Sequence, residues 1–302
     1  MDIVDSQVHA FFTLGLDETL AAMNAIGIQS VIIDEYWGDG PRGELPSASL
    51  RTGGQRPISP LAQAAVLKHP DRFAILQRVE RTDPALASWF SILADTPGCK
   101  AVRIITIDPT ELRALVDGDY DEILQLARRH DLTVNVFGRS AYAALEGVLS
   151  RFPDVRCVLD HCGAPASSVD WEAILSAGRS HANLWLKWSH AHRWFEAGPY
   201  PYVDLQAQLI RALDAFGPER LMWASDFTHD RLGSSWGELL FYLRDSLLLS
   251  ESDKEWLLGR AARTAYRWPA PAEAFSQPHL TRLNSIPYQK LIPAPGAQEL
   301  KP

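Results

Sequence analysis

Cysteine is scarce in this chain: Cys99, Cys157 and Cys162 are the only three in 302 residues, an odd number without a CxxC pair. That excludes a disulfide framework and a zinc knuckle, and it predicts reduced, partly buried thiols. Basic charge is also in short supply. Lys plus Arg number 29 against 37 for Asp plus Glu, giving a formal net charge of -8, so the charge balance draws the chain neither to nucleic acid nor to an anionic membrane. The N-terminal MDIVDSQVHAFF carries acids where a signal peptide needs a basic segment, and no run of about 20 apolar residues follows. These absences predict a cytoplasmic protein whose partner is a small molecule, with a homodimer compatible with the acidic surface and the tail.

What is present is the composition of a folded body, 46% hydrophobic and 22% charged. Short apolar runs recur and alternate with segments of helical spacing. The strands are expected at Asp2 to Asp5, Ser30 to Asp34, Phe73 to Val79, Lys100 to Ile105, Leu132 to Phe137, Val155 to Asp160, Asn183 to Trp188 and Leu221 to Ser225. The helices between and after them are expected at Leu16 to Ile26, Pro60 to His69, Pro84 to Ala94, Tyr120 to His130, Ala141 to Phe152, Asp170 to Gly178, Tyr202 to Phe216 and Trp236 to Leu249. Eight of each predicts an α/β fold of the TIM (β/α)8 barrel type. Runs such as SVII and AVRII suit strands covered on both faces. The competing doubly wound sheet would need a Gly-rich phosphate turn after its first strand, and SQVHAFF has no glycine.

Two segments fall outside the repeat. Residues 36 to 59 read YWGDGPRGELPSASLRTGGQRPIS, a Gly, Pro and Ser-rich loop beyond the second strand, where a lid or a plain surface insertion would sit. After an extra helix from Ser252 to Tyr266, the last 34 residues contain seven prolines and should hold no regular element. The expected organisation is a barrel over residues 1–268 and a Pro-rich tail over 269–302.

In such a barrel the strand C-termini and the loops after them form the working face. Taken in strand order, the polar residues there are Gln7 and His9, Asp34 and Glu35, Gln77 and Arg78, Arg103, Asn135, Asp160 and His161, Lys187 and His190, and Asp226 and His229. Three units stand out. In WASDFTH, Asp226 follows an apolar strand and can take a proton from water or hold a metal; its structural alternative is an N-cap, a task that Ser234 and Ser235 offer closer to the next helix. In LDHCGAP, His161 follows the sixth strand and a glycine permits a sharp turn behind it. In DSQVHAF, Gln7 and His9 are two apart and in extended chain face the same side. Arg103 and Lys187 interrupt apolar strands, so each must enter the barrel or pair with a buried acid. The stretch LKWSHAHRWFEAGPYPY surrounds His190 and His192 with Trp188, Trp194, Phe195, Tyr200 and Tyr202, an aromatic wall for a flat substrate or ordinary packing.

As an ordered set, DSQVHAF, LDHCGAP and WASDFTH resemble the amidohydrolase superfamily, and within it the amidohydrolase-2 group that includes 2-pyrone-4,6-dicarboxylate lactonase, sugar lactonases and decarboxylases of the aminocarboxymuconate-semialdehyde type. The resemblance runs from Ile3 to Trp268. It implies a first-strand Asp-x-His-x-His that holds a divalent metal and a histidine on the fifth strand. Here Gln7 and Asn135 stand at those positions, so His9, His161 and Asp226 are the ligands left for zinc or manganese, and a metal-free site is expected.

By the same resemblance, Asp226 deprotonates water while His161 and His9 polarise the carbonyl of a lactone or other carboxylic ester. Gln7, Glu35, Arg78, Arg103, Asn135, Lys187, His190 and His229 are expected to bind a carboxylated or aromatic substrate, with Tyr36 and Trp37 closing the pocket. The alternatives are a metal-dependent decarboxylase or lyase on the same scaffold, and a binding protein that has lost catalysis.

Overall fold

The computed structural model describes residues 1–9, 15–36, 46–51, 54–230 and 233–272. The expectations for Trp37, for much of the 36–59 loop and for nearly all of the Pro-rich tail lie outside them.

Eight parallel strands form one sheet in the order β1 (Ile3–Val8), β2 (Ile28–Ile33), β5 (Phe73–Arg78), β6 (Cys99–Ile105), β7 (Thr133–Phe137), β8 (Cys157–Leu159), β9 (Leu184–Trp188) and β10 (Leu221–Trp223). The two remaining strands, β3 (Ser47–Ser49) and β4 (Gln55–Pro57), make a small antiparallel hairpin within the loop that the sequence places beyond the second strand. Its period-2 signal is too short to see among the Gly and Pro residues around it. The last barrel strand meets the first through a seam of mixed bonds. Ser6 Oγ donates to the Trp223 carbonyl at 2.6 Å, the Ser225 amide to Asp5 Oδ1 at 2.9 Å and the Asp226 amide to the Gln7 carbonyl at 3.0 Å. The sheet therefore closes into a barrel, as the alternation predicts.

Helices cover the outside, and most begin or stop at residues chosen for the purpose. Asp108 caps Pro109–Asp117 through Thr110, and Ser235 and Glu238 form a capping box for Trp236–Arg244. The single helix expected at Tyr120 to His130 is preceded by this extra one, because Asp108-Pro109 is itself a start signal. All three cysteines are buried thiols, and burial pushes Cys99 and Cys157 up to about 12.

The strand period explains where the site sits. Ile32 and Asp34, Ala101 and Arg103, and Val158 and Asp160 are each two apart and so share the inner face. The first of each pair belongs to an apolar layer completed by Val4, Ala74, Leu76 and Met222; the second belongs to a polar layer one step nearer the C-terminal mouth. The apolar layer is plugged from below by Ala261, Ala262, Ala265, Tyr266 and Trp268. These lie on and just after the C-terminal segment, which runs as α-helix Glu251–Glu255, a π-helical turn Trp256–Arg260 and α-helix Ala261–Ala265. The extra helix is thus part of the barrel floor.

Candidate active site

The mouth of the barrel is organised around Asp226, which is buried and stands just past β10. His9 Nε2 lies 3.0 Å from Asp226 Oδ1, and His190 Nε2 donates to Asp226 Oδ2 at 2.8 Å. His161 Nε2 is 3.6 Å from the same Oδ2. The three residues singled out in sequence therefore converge, and His190, expected only to bind substrate, is in direct contact with the carboxylate. Burial raises the pKa of Asp226, but the charges of His9 and His190 and the hydrogen bond from His190 outweigh it and hold the carboxyl well below its ordinary range. His161, His190 and Asp226 have φ values of 53°, 50° and 49°. Left-handed backbone is unfavourable for such residues and is tolerated where surrounding structure enforces it. Gly163 makes the turn behind His161 possible, since a Cβ there would lie 2.7 Å from Ile174 Cδ1 at a φ of 75°.

Beneath this layer lies a chain of buried opposite charges. Arg103 Nε donates to Asp160 Oδ2 at 2.8 Å, its Nη1 donates to Asp34 Oδ2, and its Nη2 is 3.1 Å from His161 Nε2. Lys187 Nζ reaches Asp160 Oδ1 and Gln7 Oε1, both at 2.8 Å. Arg78 grips Asp34 with two nitrogens, each bond 2.9 Å. Burial opposes every one of these charges, yet the partners prevail: Asp34 and Asp160 are held below the usual carboxylate range, and Lys187 and Arg103 are raised. Asn135 donates to Asp160 at 2.9 Å and to the Tyr266 hydroxyl at 3.0 Å, tying the network to the floor.

This arrangement corrects several expectations. A guanidinium only donates, so His161 Nε2 must accept, and the ring is the Nδ1–H tautomer with Ser189 Oγ 2.8 Å away. Burial accordingly pushes the His161 pKa well below its ordinary value. His161 therefore has no proton to offer towards Asp226, and it does not polarise a carbonyl through Nε2. Of the residues expected to hold substrate, Arg103 is engaged by Asp34, Asp160 and His161, Asn135 by Asp160 and Tyr266, and Lys187 by Asp160 and the Gln7 oxygen. Glu35 accepts the amides of Leu61 and Ala62 at 3.3 and 2.8 Å and caps the helix Pro60–Lys68, an alternative that the sequence left unweighed. Trp188 is wholly buried, bonded to Tyr242 and stacked on Phe195, so it is packing and not pocket wall.

At the rim, His9, Tyr36 and His229 meet edge to ring with centroids 5.4 to 5.6 Å apart, and Arg78 lies 5.2 Å over Tyr36. Sequence reasoning placed Asp34 and Asp160 at strand ends without a role. Their signal was available, because two buried cations inside a barrel demand buried acids.

For a divalent cation, His161, His190 and Asp226 bring donor atoms within 4.8 Å of one another. The chemistry of that trio suits zinc. Its geometry does not, since the His161 Nε2 lone pair faces Arg103 and the Gln7 oxygen faces Lys187.

Comparison with known proteins places this site in context. The family Amidohydro_2, described as amidohydrolase, matches residues 60–268. An L-fucono-1,5-lactonase of Burkholderia ambifaria is 29% identical over 219 residues, covering 66% of this chain and 73% of that protein. A solved amidohydrolase from Burkholderia multivorans with bound zinc superposes with a TM-score of 0.70 at 20% identity, over 89% of this chain and 100% of that one. The solved 5-carboxyvanillate decarboxylase of Sphingomonas paucimobilis gives a TM-score of 0.61 at 14% identity, over 89% and 99%.

Proposed function

Because the chain belongs to the Amidohydro_2 amidohydrolases, we propose that it hydrolyses the lactone of a small polar acid, by water activated at Asp226 and without a metal. The observation that carries this reading is the pairing of an ionised, buried Asp226 with two histidines, one to each carboxylate oxygen. The similarity to a lactonase supports the substrate class.

In the mechanism, Asp226 Oδ1 takes a proton from water as the water oxygen attacks the lactone carbonyl carbon. Oδ1 is the oxygen available for this, since it makes no aligned hydrogen bond among the described residues. His9 Nδ1 donates to the Asp34 carbonyl at 2.8 Å, which orients the ring with Nε2 towards the reacting centre. The ring C–O bond then breaks, and the proton on Asp226 passes to the leaving alkoxide, giving the hydroxy acid. Arg78, with its side chain 14% exposed, is nearer the solvent than Arg103 or Lys187, and it binds a polar substituent of the substrate beside Tyr36.

The positive charge that a metal would supply is built in as Arg103 and Lys187, and this supports the metal-free form. Asp226→Asn should lower kcat on a sugar lactone by about 100- to 10,000-fold, the usual worth of a positioned general base, with KM little changed. Wild type exhaustively treated with chelator should retain its rate. Loss of activity on chelation that added zinc restores would overturn the metal-free form, and carbon dioxide release from a carboxylated aromatic acid would overturn the reaction class.

A further inference from the structure

Beside Asp226, two buried imidazoles are incompletely satisfied. His190 Nδ1 and His192 Nε2 are both buried, and neither makes an aligned hydrogen bond among the described residues. His190 is 5% exposed, His192 6% and Asp230 9%. A ring nitrogen of each histidine and a carboxylate oxygen of Asp230 all lie within 4.8 Å of one another. His192 Nε2 is 3.3 Å from Asp230 Oδ2, an oxygen that also accepts the Ser234 amide at 3.1 Å.

A ring nitrogen kept from water without an aligned hydrogen bond is unfavourable, and here two of them lie close to a carboxylate. We propose that His190, His192 and Asp230 form a divalent-cation site that takes a zinc-like ion. Two imidazole nitrogens and one carboxylate oxygen suit zinc and not magnesium or calcium, which prefer all-oxygen shells. With His190 Nε2 engaged on Asp226, Nδ1 is the nitrogen with a lone pair to give. An ion bound there fixes the His190 tautomer and makes Asp226 the carboxylate behind a metal-bound histidine, an arrangement that orients both groups.

The site uses the loop after β9 and the turn after β10, and it needs neither His9 nor His161. It differs from the trio at Asp226 in having no guanidinium hydrogen-bonded to its nitrogens among the described residues. The ion does not touch substrate, and because His190 already holds Asp226 without it, turnover does not depend on it.

Zinc-stripped protein is titrated with zinc against a chromophoric chelator, and bound metal is counted by atomic absorption. Wild type should take up zinc, His161→Ala should keep the ion assigned here, and His192→Ala and Asp230→Asn should each weaken that ion by about 100-fold or more. Zinc should also raise the melting temperature of wild type and His161→Ala but not of the other two variants. If one of those two fails to fold, the other decides. The proposal is overturned if wild type takes up no zinc, if both His192→Ala and Asp230→Asn bind it as wild type does, or if His161→Ala alone abolishes binding.

Discussion

Arg103 is the residue on which most of the site depends, since one guanidinium serves Asp160, Asp34 and His161 together. Removing it leaves two buried carboxylates each with one cation in place of two, Asp34 with Arg78 and Asp160 with Lys187. Arg103→Met should therefore cost about 3–5 kcal/mol in urea unfolding. Arg103→Lys should recover only part of this, because a single ammonium cannot bridge three acceptors in a fork. His9 and His190 keep Asp226 ionised well below the ordinary carboxylate range. A fall in activity at pH values within or above the ordinary carboxylate range then does not report this base, and the pH profile of kcat/KM checks it. The residue identities were legible in the sequence as interruptions of apolar strands. The partner choice was not, because Arg103 could pair with an acid on any neighbouring strand.

At the scale of elements, the C-terminal segment closes the barrel floor more tightly than its helical spacing implies. A Cβ on Gly259, in the π-helical turn, would lie 1.9 Å from the Asp2 carbonyl oxygen. Backbone cannot yield as a side-chain tip does, so Gly259→Ala should destabilise by about 1–3 kcal/mol or more. A thermal melt reads this, and KM should stay near the wild-type value because the turn is at the floor and the site is at the mouth. Sequence spacing placed a helix over Ser252 to Tyr266, and the segment is there. That it packs beneath β1 and β10, and that Tyr266 reaches Asn135, depends on long-range contacts that no local pattern carries.

For the molecule as a whole, stability should respond to pH in opposite senses at different places. Burial raises Asp5, at the barrel seam, to about 6 despite hydrogen bonds from Ser225 and Trp236. A carboxyl raised in the folded state contributes stability that is full below its unfolded pKa and lost as pH rises through about 6, here roughly 3 kcal/mol. Asp34, Asp160 and Asp226 are lowered, so their contribution is present at neutral pH and lost as pH falls below the unfolded carboxylate value. His161, held neutral, likewise contributes above its ordinary pKa and loses this on acidification. The difference in unfolding free energy between wild type and Asp5→Asn should therefore shift against wild type as pH goes from about 4 to 7. A pH-independent difference would show that Asp5 does not titrate in that window.

The sequence by itself determined the barrel, the side of it that holds polar groups and the convergence of His9, His161 and Asp226. All three follow from periodicity, because a strand's alternation sends every second residue inward and repeated strand–helix units close in one way. Only the tertiary structure decided what those groups do to each other. It set Arg103 against His161 Nε2 and so settled the tautomer, placed His190 on Asp226, assigned Glu35 to a helix end and brought His192 and Asp230 together from separate loops. Hydrogen bonds and ion pairs act over about 3 Å, and in a barrel that distance is fixed by strand register and loop path and not by separation along the chain.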